Sequence, residues 1–159
     1  VKVRLGYDYR NNGPFVEKAI QKLNSNVIRG REVMVYTLYN YDEDPDEFLE
    51  RVRDVLNWGA VCYPMRYEPL NALEKNKFVA PRWDKRTLEM VQDARRVLGY
   101  GGAFPPYRAL IEKLEMATSL EEAFELRPPR RTNTSAQNIL VPRQQLVMPL
   151  IESGKDPVP

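Results

Sequence analysis

The chain has 159 residues, of which 43% are hydrophobic and 29% are charged, and its formal net charge is +2. This length is enough for one domain with a hydrophobic core, and no run of like charge is long enough to indicate a polyanionic partner. No apolar run approaches the roughly 20 residues of a membrane span, and no secretory signal is visible, so we predict a cytoplasmic protein without a membrane partner.

Two residue types that carry much of enzyme chemistry are scarce in this chain. There is no histidine, and Cys62 is the single cysteine. Serine–histidine and cysteine–histidine nucleophiles are therefore excluded within the chain, as are cysteine-rich zinc and iron–sulfur sites. Because Cys62 lies in an apolar run, we expect a buried and inert thiol. The sequence predicts no catalytic residue and no metal ligand here.

The first 70 residues hold three strand-like segments. Residues 1–7 alternate apolar and polar side chains, and Val33–Tyr39 is almost wholly apolar or β-branched, as in a strand buried on both faces. Residues 60–65 form a third apolar segment, in which Pro64 indicates a strand end or an edge strand. Helix-like segments separate the three, so the order βαβαβ predicts parallel neighbouring strands joined by right-handed crossovers.

The two intervening segments show apolar faces at helical spacing. The first begins near Pro14, and its predicted buried residues are Phe15, Val16, Ala19, Ile20 and Leu23. The second begins at Asp44, where Glu47 completes a capping-box pattern, and Gly59 suits the left-handed residue that ends a helix. Its predicted buried residues are Phe48, Leu49, Val52, Val55 and Leu56.

The pattern of residues 71–128 predicts helices and no further strand. Asp84 suits the cap of a helix whose apolar residues are Leu88, Val91, Ala94, Val97 and Leu98. Pro105 suits the start of a second helix, and Ser119 suits the cap of a third. Residues 129–159 contain prolines too frequent for a helix, which predicts a linker and an extended tail.

Polar and aromatic residues follow each predicted strand, at the carboxyl ends where parallel α/β sheets bind ligands. They are Tyr7, Asp8, Tyr9 and Arg10, then Asn40, Tyr41 and Asp42, then Met65, Arg66, Tyr67 and Glu68. A tyrosine could stack on an adenine, Asp8 or Asn40 could bind ribose hydroxyls, and Arg66 could pair with a carboxylate. The alternative is that these are ordinary loop residues and that Tyr9 and Tyr41 pack under loops.

A basic stretch interleaved with aromatic residues allows a different function. It comprises Lys75, Lys77, Phe78, Arg82, Trp83, Lys85 and Arg86, and Arg127, Arg130 and Arg131 add a second cluster. Such a pattern is compatible with contact to nucleic acid. Because acidic residues nearly balance the basic ones, a solvated charged face is the favoured alternative.

Three runs of sequence suggest a family. The runs "VRLGYDY", "VMVYTLYNYDEDPDEFLERVRDVLNWG" and "AVCYPMRYEPL" resemble the fourth, fifth and sixth strands of a radical S-adenosylmethionine barrel. The later run "KNKFVAPRWDKRTLEMVQDARRVLGYGGAFPP" is similar to a helical extension that follows the barrel in one subgroup. The resemblance covers residues 1–128 and rests on the order of these pieces, since none of them is a diagnostic motif.

The resemblance implies a cofactor site at the carboxyl ends of these strands. In the family a CxxxCxxC loop holds an iron–sulfur cluster, which cleaves S-adenosylmethionine to a deoxyadenosyl radical that abstracts hydrogen from a substrate. Tyr7, Asp8, Asn40 and Tyr41 match positions that contact ribose and methionine, whereas Met65, Arg66 and Tyr67 match positions near adenine. The three cysteines are absent here, and "VYTLYNYDED" replaces a glycine-rich pattern, so this chain by itself would hold no cluster.

These observations predict an α/β fold: a partial (β/α) barrel with three parallel strands over residues 1–70, a helical extension over 71–128 and a tail over 129–159. We expect a fragment of a radical S-adenosylmethionine enzyme that contributes cofactor and substrate contacts and is inactive alone. Its bared strand edge and apolar surface predict association with the missing amino-terminal half of the barrel or with a second copy. The alternative is a nonenzymatic module that binds nucleic acid or protein.

Overall fold

A computed structural model of the chain describes residues 3–26, 28 and 30–126, which form an α/β fold around a three-stranded parallel sheet. The strands are β1 (Val3–Gly6), β2 (Val33–Tyr39) and β3 (Val61–Arg66), in the order β1-β2-β3. The helices are α1 (Gly13–Ser25), α2 (Pro45–Asn57), α3 (Lys85–Val97), α4 (Arg108–Met116) and α5 (Leu120–Phe124). The predicted βαβαβ order and the parallel pairing are confirmed.

The two faces of the sheet differ in burial. On the first face β2 buries Val33, Val35, Thr37 and Tyr39, and the register pairs Val35 with both Leu5 and Cys62. On the opposite face Met34 and its neighbours along β2 are only half-buried. The prediction that β2 is buried on both faces was therefore wrong. The reason is that α1 and α2 contact each other and cover the same face.

Local capping signals fix the starts of α2 and α3 and the end of α2 as predicted, whereas the prediction that a helix starts at Pro105 was wrong, since α4 begins at Arg108 after the cap residue Tyr107. At the start of α2 the Glu47 carboxylate accepts the backbone N–H of Asp44 at 3.0 Å. At the start of α3 the carboxylate of Asp84 accepts the backbone N–H of Thr87 at 2.7 Å, and this bond lowers the pKa of Asp84. Gly59 has φ 78°, the left-handed conformation that ends α2.

Two residues of the predicted apolar faces lie outside the core. Phe15 is 75% exposed because α1 packs through Gly13, Val16 and Ile20 instead. Val97 is also exposed, at the last turn of α3. In both cases the stripe that contacts the core is narrower than the apolar pattern of the sequence, since surface positions also carry apolar side chains.

The carboxyl-terminal helices pack on α2. Arg53 donates to the carbonyl oxygens of Leu114 and Ala117 at the end of α4, at 2.7 and 2.6 Å. The Asp46 carboxylate accepts the backbone N–H of Leu120 at the start of α5, at 2.7 Å. The described residues therefore share one core, within a compact unit that spans Val1–Arg127. The predicted linker and tail, residues 129–159, lie outside the described residues.

None of the described helices is long and apolar enough to cross a bilayer.

A buried arginine joins the carboxyl ends of β1 and β2. Arg51 of α2 is fully buried, and its guanidinium donates to the carbonyl oxygens of Tyr7 and Leu38, each at 2.8 Å. The same group forms an ion pair with Glu43 and lies over the Phe48 ring at 5.8 Å from its centroid. Burial lowers the pKa of Arg51. The planar fork of arginine suits this bridging of separate acceptors.

We expect Arg51→Ala to lower the free energy of unfolding by about 3–5 kcal/mol, because it leaves Glu43 and two strand-end carbonyls without their donor. Urea denaturation followed by circular dichroism measures this loss. Arg96→Ala is the matched control, since Arg96 is exposed and, within the described part of the chain, its ion-pair partner is Asp93 on the same helix. If both variants lost the same small amount of stability, Arg51 would not join the strands.

Candidate functional site at the carboxyl edge of the sheet

The predicted site residues follow the carboxyl ends of three parallel strands, which lie along one edge of the sheet. The hydrogen-bond ladder of the sheet continues for one residue after β1 and for one residue after β3, in both cases to β2. Tyr7 donates its backbone N–H to Tyr36, and Tyr67 donates its own to Tyr39, both at 2.8 Å. The clusters that the sequence predicted after each strand are therefore neighbours in the fold. Their side chains nevertheless have different surroundings.

Tyr7 is buried beneath this edge. Its hydroxyl donates to the Asp54 carboxylate at 2.8 Å, and its ring lies 5.4 Å from the ring of Trp58. Burial, followed by the bond to Asp54, raises the pKa of Tyr7 above its usual range. A Cβ atom on Gly13 would lie 2.8 Å from the Tyr7 hydroxyl, so a glycine is needed there for close approach. In this structure Tyr7 is a packing residue of the edge.

Asp8 links the first two strands and keeps one oxygen available. Its Oδ1 accepts the backbone N–H of Leu38 at 3.2 Å, and the residue is half-buried. The other carboxylate oxygen accepts no hydrogen bond from the residues that the structure describes. The negative charge of Asp8 also counteracts the lowering of the Arg51 pKa by burial. A hydroxyl donor of a ligand would find an acceptor at Asp8.

Asn40 uses its side chain to hold the edge together. It is fully buried with φ 64°, the left-handed region in which asparagine is tolerated. Its amide donates to the carbonyl oxygens of Tyr67 and Phe78 at 3.1 and 3.0 Å, and its oxygen accepts the N–H of Ala80 at 2.8 Å. Both amide hydrogens are thus used within the chain. A ribose contact at Asn40 would have to displace these bonds.

Four aromatic side chains form a row along the edge: Tyr9, Tyr41, Tyr67 and Phe78, here called the edge aromatic row. Successive ring centroids lie 6.0, 4.6 and 5.8 Å apart, in edge-to-face arrangements. Tyr9 is 53% exposed and donates its hydroxyl to that of Tyr41 at 3.2 Å. This bond raises the pKa of Tyr41. The row offers π-surface and hydroxyls to a ligand.

Met65 and Arg66 lie on opposite faces of β3. Met65 is 41% exposed on the face that α1 and α2 leave uncovered. Arg66 is in register with Tyr39 on the helix-covered face, and it donates to the carbonyl oxygens of Phe78 and Asn76 at 2.8 and 3.2 Å. The structure therefore separates Arg66 from Met65, although the sequence placed them in one cluster.

The sequence reasoning missed two residues that build this edge. Arg51 follows Phe48 by three positions on the apolar face of α2, and that spacing was the signal that could have identified a buried arginine. Trp83 is 5% exposed and donates its indole N–H to the Glu43 carbonyl oxygen at 2.9 Å. Because its ring is enclosed, Trp83 does not offer the stacking surface that the nucleic-acid hypothesis assigned to it.

The resemblance implies two bound groups, an iron–sulfur cluster and S-adenosylmethionine, and the residues of this chain suit them to different degrees. Cys62 is buried beside the Thr37 hydroxyl at 3.2 Å, and burial raises its pKa to about 12. A thiolate ligand is therefore disfavoured at the one cysteine, and the described residues contain no group of three or more acidic, histidine or cysteine side chains suited to a metal. These residues do not fit an iron–sulfur cluster. The edge aromatic row and Asp8 do fit an adenosyl group.

Comparisons with models of protein families, with curated proteins and with solved structures found no match. The geometry of the carboxyl edge and the sequence resemblance are therefore the grounds for assigning a function.

We expect both Asn40→Gly and Asn40→Ala to lose about 3 kcal/mol of unfolding free energy, because each removes three buried hydrogen bonds. The alanine variant should lose about 1 kcal/mol more, because a Cβ is strained at positive φ. Chemical denaturation of both variants measures the two effects. A glycine variant as stable as the unmodified chain would refute the structural role of the amide.

Proposed function

We propose that this chain forms one wall of an S-adenosylmethionine site within a partial (β/α) barrel of the radical S-adenosylmethionine type. The observation that carries the proposal is the edge aromatic row, which runs across the carboxyl ends of neighbouring parallel strands. Ligands of parallel α/β folds bind at this end of the sheet. Flat rings and hydroxyls together suit a nucleoside, which has a π-face and a polar sugar.

The distribution of apolar side chains supports the barrel part of the proposal. In a (β/α) barrel the helices lie outside the sheet, and the inward face is filled by apolar residues. Here α1 and α2 cover one face. The opposite face, here called the inner face, carries a patch of half-buried and exposed apolar residues, with Arg95 of α3 over the Tyr63 ring at 5.0 Å. Its residues are Met34, Tyr36, Leu38, Val61, Tyr63 and Met65.

Within the proposed site the chain's own residues bind and orient the cofactor. Tyr41 and Tyr67 would contact adenine, because their rings are the central pair of the row, with centroids 4.6 Å apart. Asp8 would accept a ribose hydroxyl through its available oxygen, and Met65 would add apolar contact from the exposed side of β3. Tyr7 and Asn40 would not contact the cofactor; they would fix the backbone of the residues that do.

In the proposed enzyme, groups outside this chain supply the remaining parts of the reaction. When bound, and reduced by a cluster held outside this chain, the cofactor would supply the family's radical chemistry, and the residues named above would hold it. The chain has one cysteine, so the thiolate ligands of the cluster would come from the amino-terminal half of the barrel. The role proposed for this chain is therefore binding and positioning, with no catalytic residue of its own.

Isothermal titration of S-adenosylmethionine into the chain tests the cofactor proposal. We expect saturable binding that Tyr41→Ala and Tyr67→Ala each weaken roughly tenfold, through the lost aromatic contact. Tyr100→Ala is the matched control, because Tyr100 is an exposed tyrosine remote from this edge in sequence and outside the row. Absence of binding, or equal effects of all three substitutions, would contradict the proposal.

The inner face should associate with a second copy when the rest of a barrel is absent, because its apolar side chains adjoin the outer edge of β1, which pairs with no described strand, and such a surface is unstable in water. We expect dimers or larger species at micromolar concentration in analytical ultracentrifugation. Replacing Leu38 and Met65, which pair across β2 and β3, by lysine should shift the chain towards a monomer. Met116→Lys, at an exposed position of α4, is the control and should leave the association unchanged. A monomeric unmodified chain would contradict this expectation.

A further inference from the structure

A cleft of about 330 Å³ lies between the end of β3, the segment 76–79 and the first turns of α3. Its polar lining consists of Arg66, Asn76, Lys77, Lys85, Glu89 and Gln92. This volume is within the range of small-molecule sites. The edge aromatic row is formed by other side chains, so the cleft is distinct from the proposed S-adenosylmethionine contacts.

The cleft has an excess of positive charge. Arg66, Lys77 and Lys85 contribute three cations, whereas Glu89 is the one carboxylate in the lining. Among the residues that the structure describes, none of the three cations has an ion-pair partner. Elsewhere the described arginines Arg51, Arg53, Arg82, Arg96 and Arg108 do pair with carboxylates. Three positive charges against one carboxylate in a concave surface favour a bound anion.

Hydrogen bonds hold the Arg66 guanidinium in place, but one of its N–H donors has no acceptor among the described residues. Its Nη2 donates to the carbonyl oxygens of Asn76 and Phe78, which fixes the guanidinium against the segment 76–79. Its Nε is buried and has no hydrogen-bond partner among the residues that the structure describes. A buried donor without an acceptor costs free energy, so an incoming oxyanion would gain from pairing with it. The arginine is thus already ordered for anion binding and would lose little entropy.

The remaining lining indicates what the anion is attached to. Lys77 and Lys85 are exposed, flexible point charges of the kind that bind phosphate oxygens. Glu89 and Gln92 lie one and two turns into α3 and can accept hydrogen bonds from hydroxyl groups. Val79 and Leu88 add apolar surface for carbon atoms. A bare inorganic anion would use only the basic part of this lining.

We propose that the cleft binds a small phosphate ester that carries hydroxyl groups. Its phosphate lies among Arg66, Lys77 and Lys85, and its hydroxyls bond to Glu89 and Gln92. This site is independent of the S-adenosylmethionine proposal, because it uses none of the aromatic row.

Titration with ribose 5-phosphate, followed by amide chemical shifts in NMR, tests the proposal on the whole chain. We expect saturable shifts confined to Arg66 and to residues 76–79 and 85–92, and none with ribose, which lacks the phosphate. Inorganic phosphate should compete but bind more weakly than the ester. Lys77→Ala and Lys85→Ala should each weaken ribose 5-phosphate about tenfold, the effect of one charge-assisted hydrogen bond.

Lys75→Ala is the matched control, because Lys75 is exposed in the same basic segment and does not line the cleft. It should leave the affinity unchanged. Equal weakening by Lys75→Ala and Lys77→Ala would overturn the proposal in favour of a diffuse basic surface, as would tighter binding of an oligonucleotide. Absence of shifts at about 10 mM ribose 5-phosphate would overturn it outright. Inorganic phosphate binding as tightly as the ester would overturn the assignment of the hydroxyl contacts.

Discussion

The buried guanidinium of Arg51 is the interaction on which the carboxyl edge depends. A charge removed from water is costly unless donors and acceptors around it are matched, so its partners must be held in fixed positions. Those partners are the ends of β1 and β2, through Tyr7 and Leu38, and the loop after β2, through Glu43. Trp83 adds a further bond to the same loop. One side chain of α2 thereby sets the relative position of two strand ends and the loop beside them.

The edge consequently has two layers with different roles. The inner layer contains Arg51 and Asn40, whose polar atoms bond to the backbone of distant segments. The outer layer is the edge aromatic row, together with the available oxygen of Asp8. A rigid inner layer is useful for binding, because an ordered outer surface loses less conformational entropy when a ligand arrives. Residues of both layers follow the same strands in the sequence, so position along the chain does not separate them.

Much of the fold was predictable because its signals are local. The alternation in β1, the apolar run of β2 and the 3.6-residue pattern in α2 fix the type of each element. Capping at Asp44 and Asp84 and the positive φ of Gly59 fix the ends. Burial was predicted less well. Phe15 is apolar and exposed, and the residues of β2 on the inner face are half-buried, because burial depends on which side the helices pack. That choice is made by the crossover connections of the whole unit.

The amino-acid sequence by itself determined the order of strands and helices, their caps, the absence of histidine and the single cysteine, and hence the exclusion of several catalytic chemistries. The tertiary structure alone decided which polar residues are used inside the fold. Asn40 bonds to residues up to 40 positions away, and Arg66 meets Lys85 across a cleft that exists only after α3 has packed. The physical reason is that spatial neighbours decide which hydrogen-bond donors and acceptors of a side chain remain unpaired after folding. Those neighbours come from distant parts of the chain.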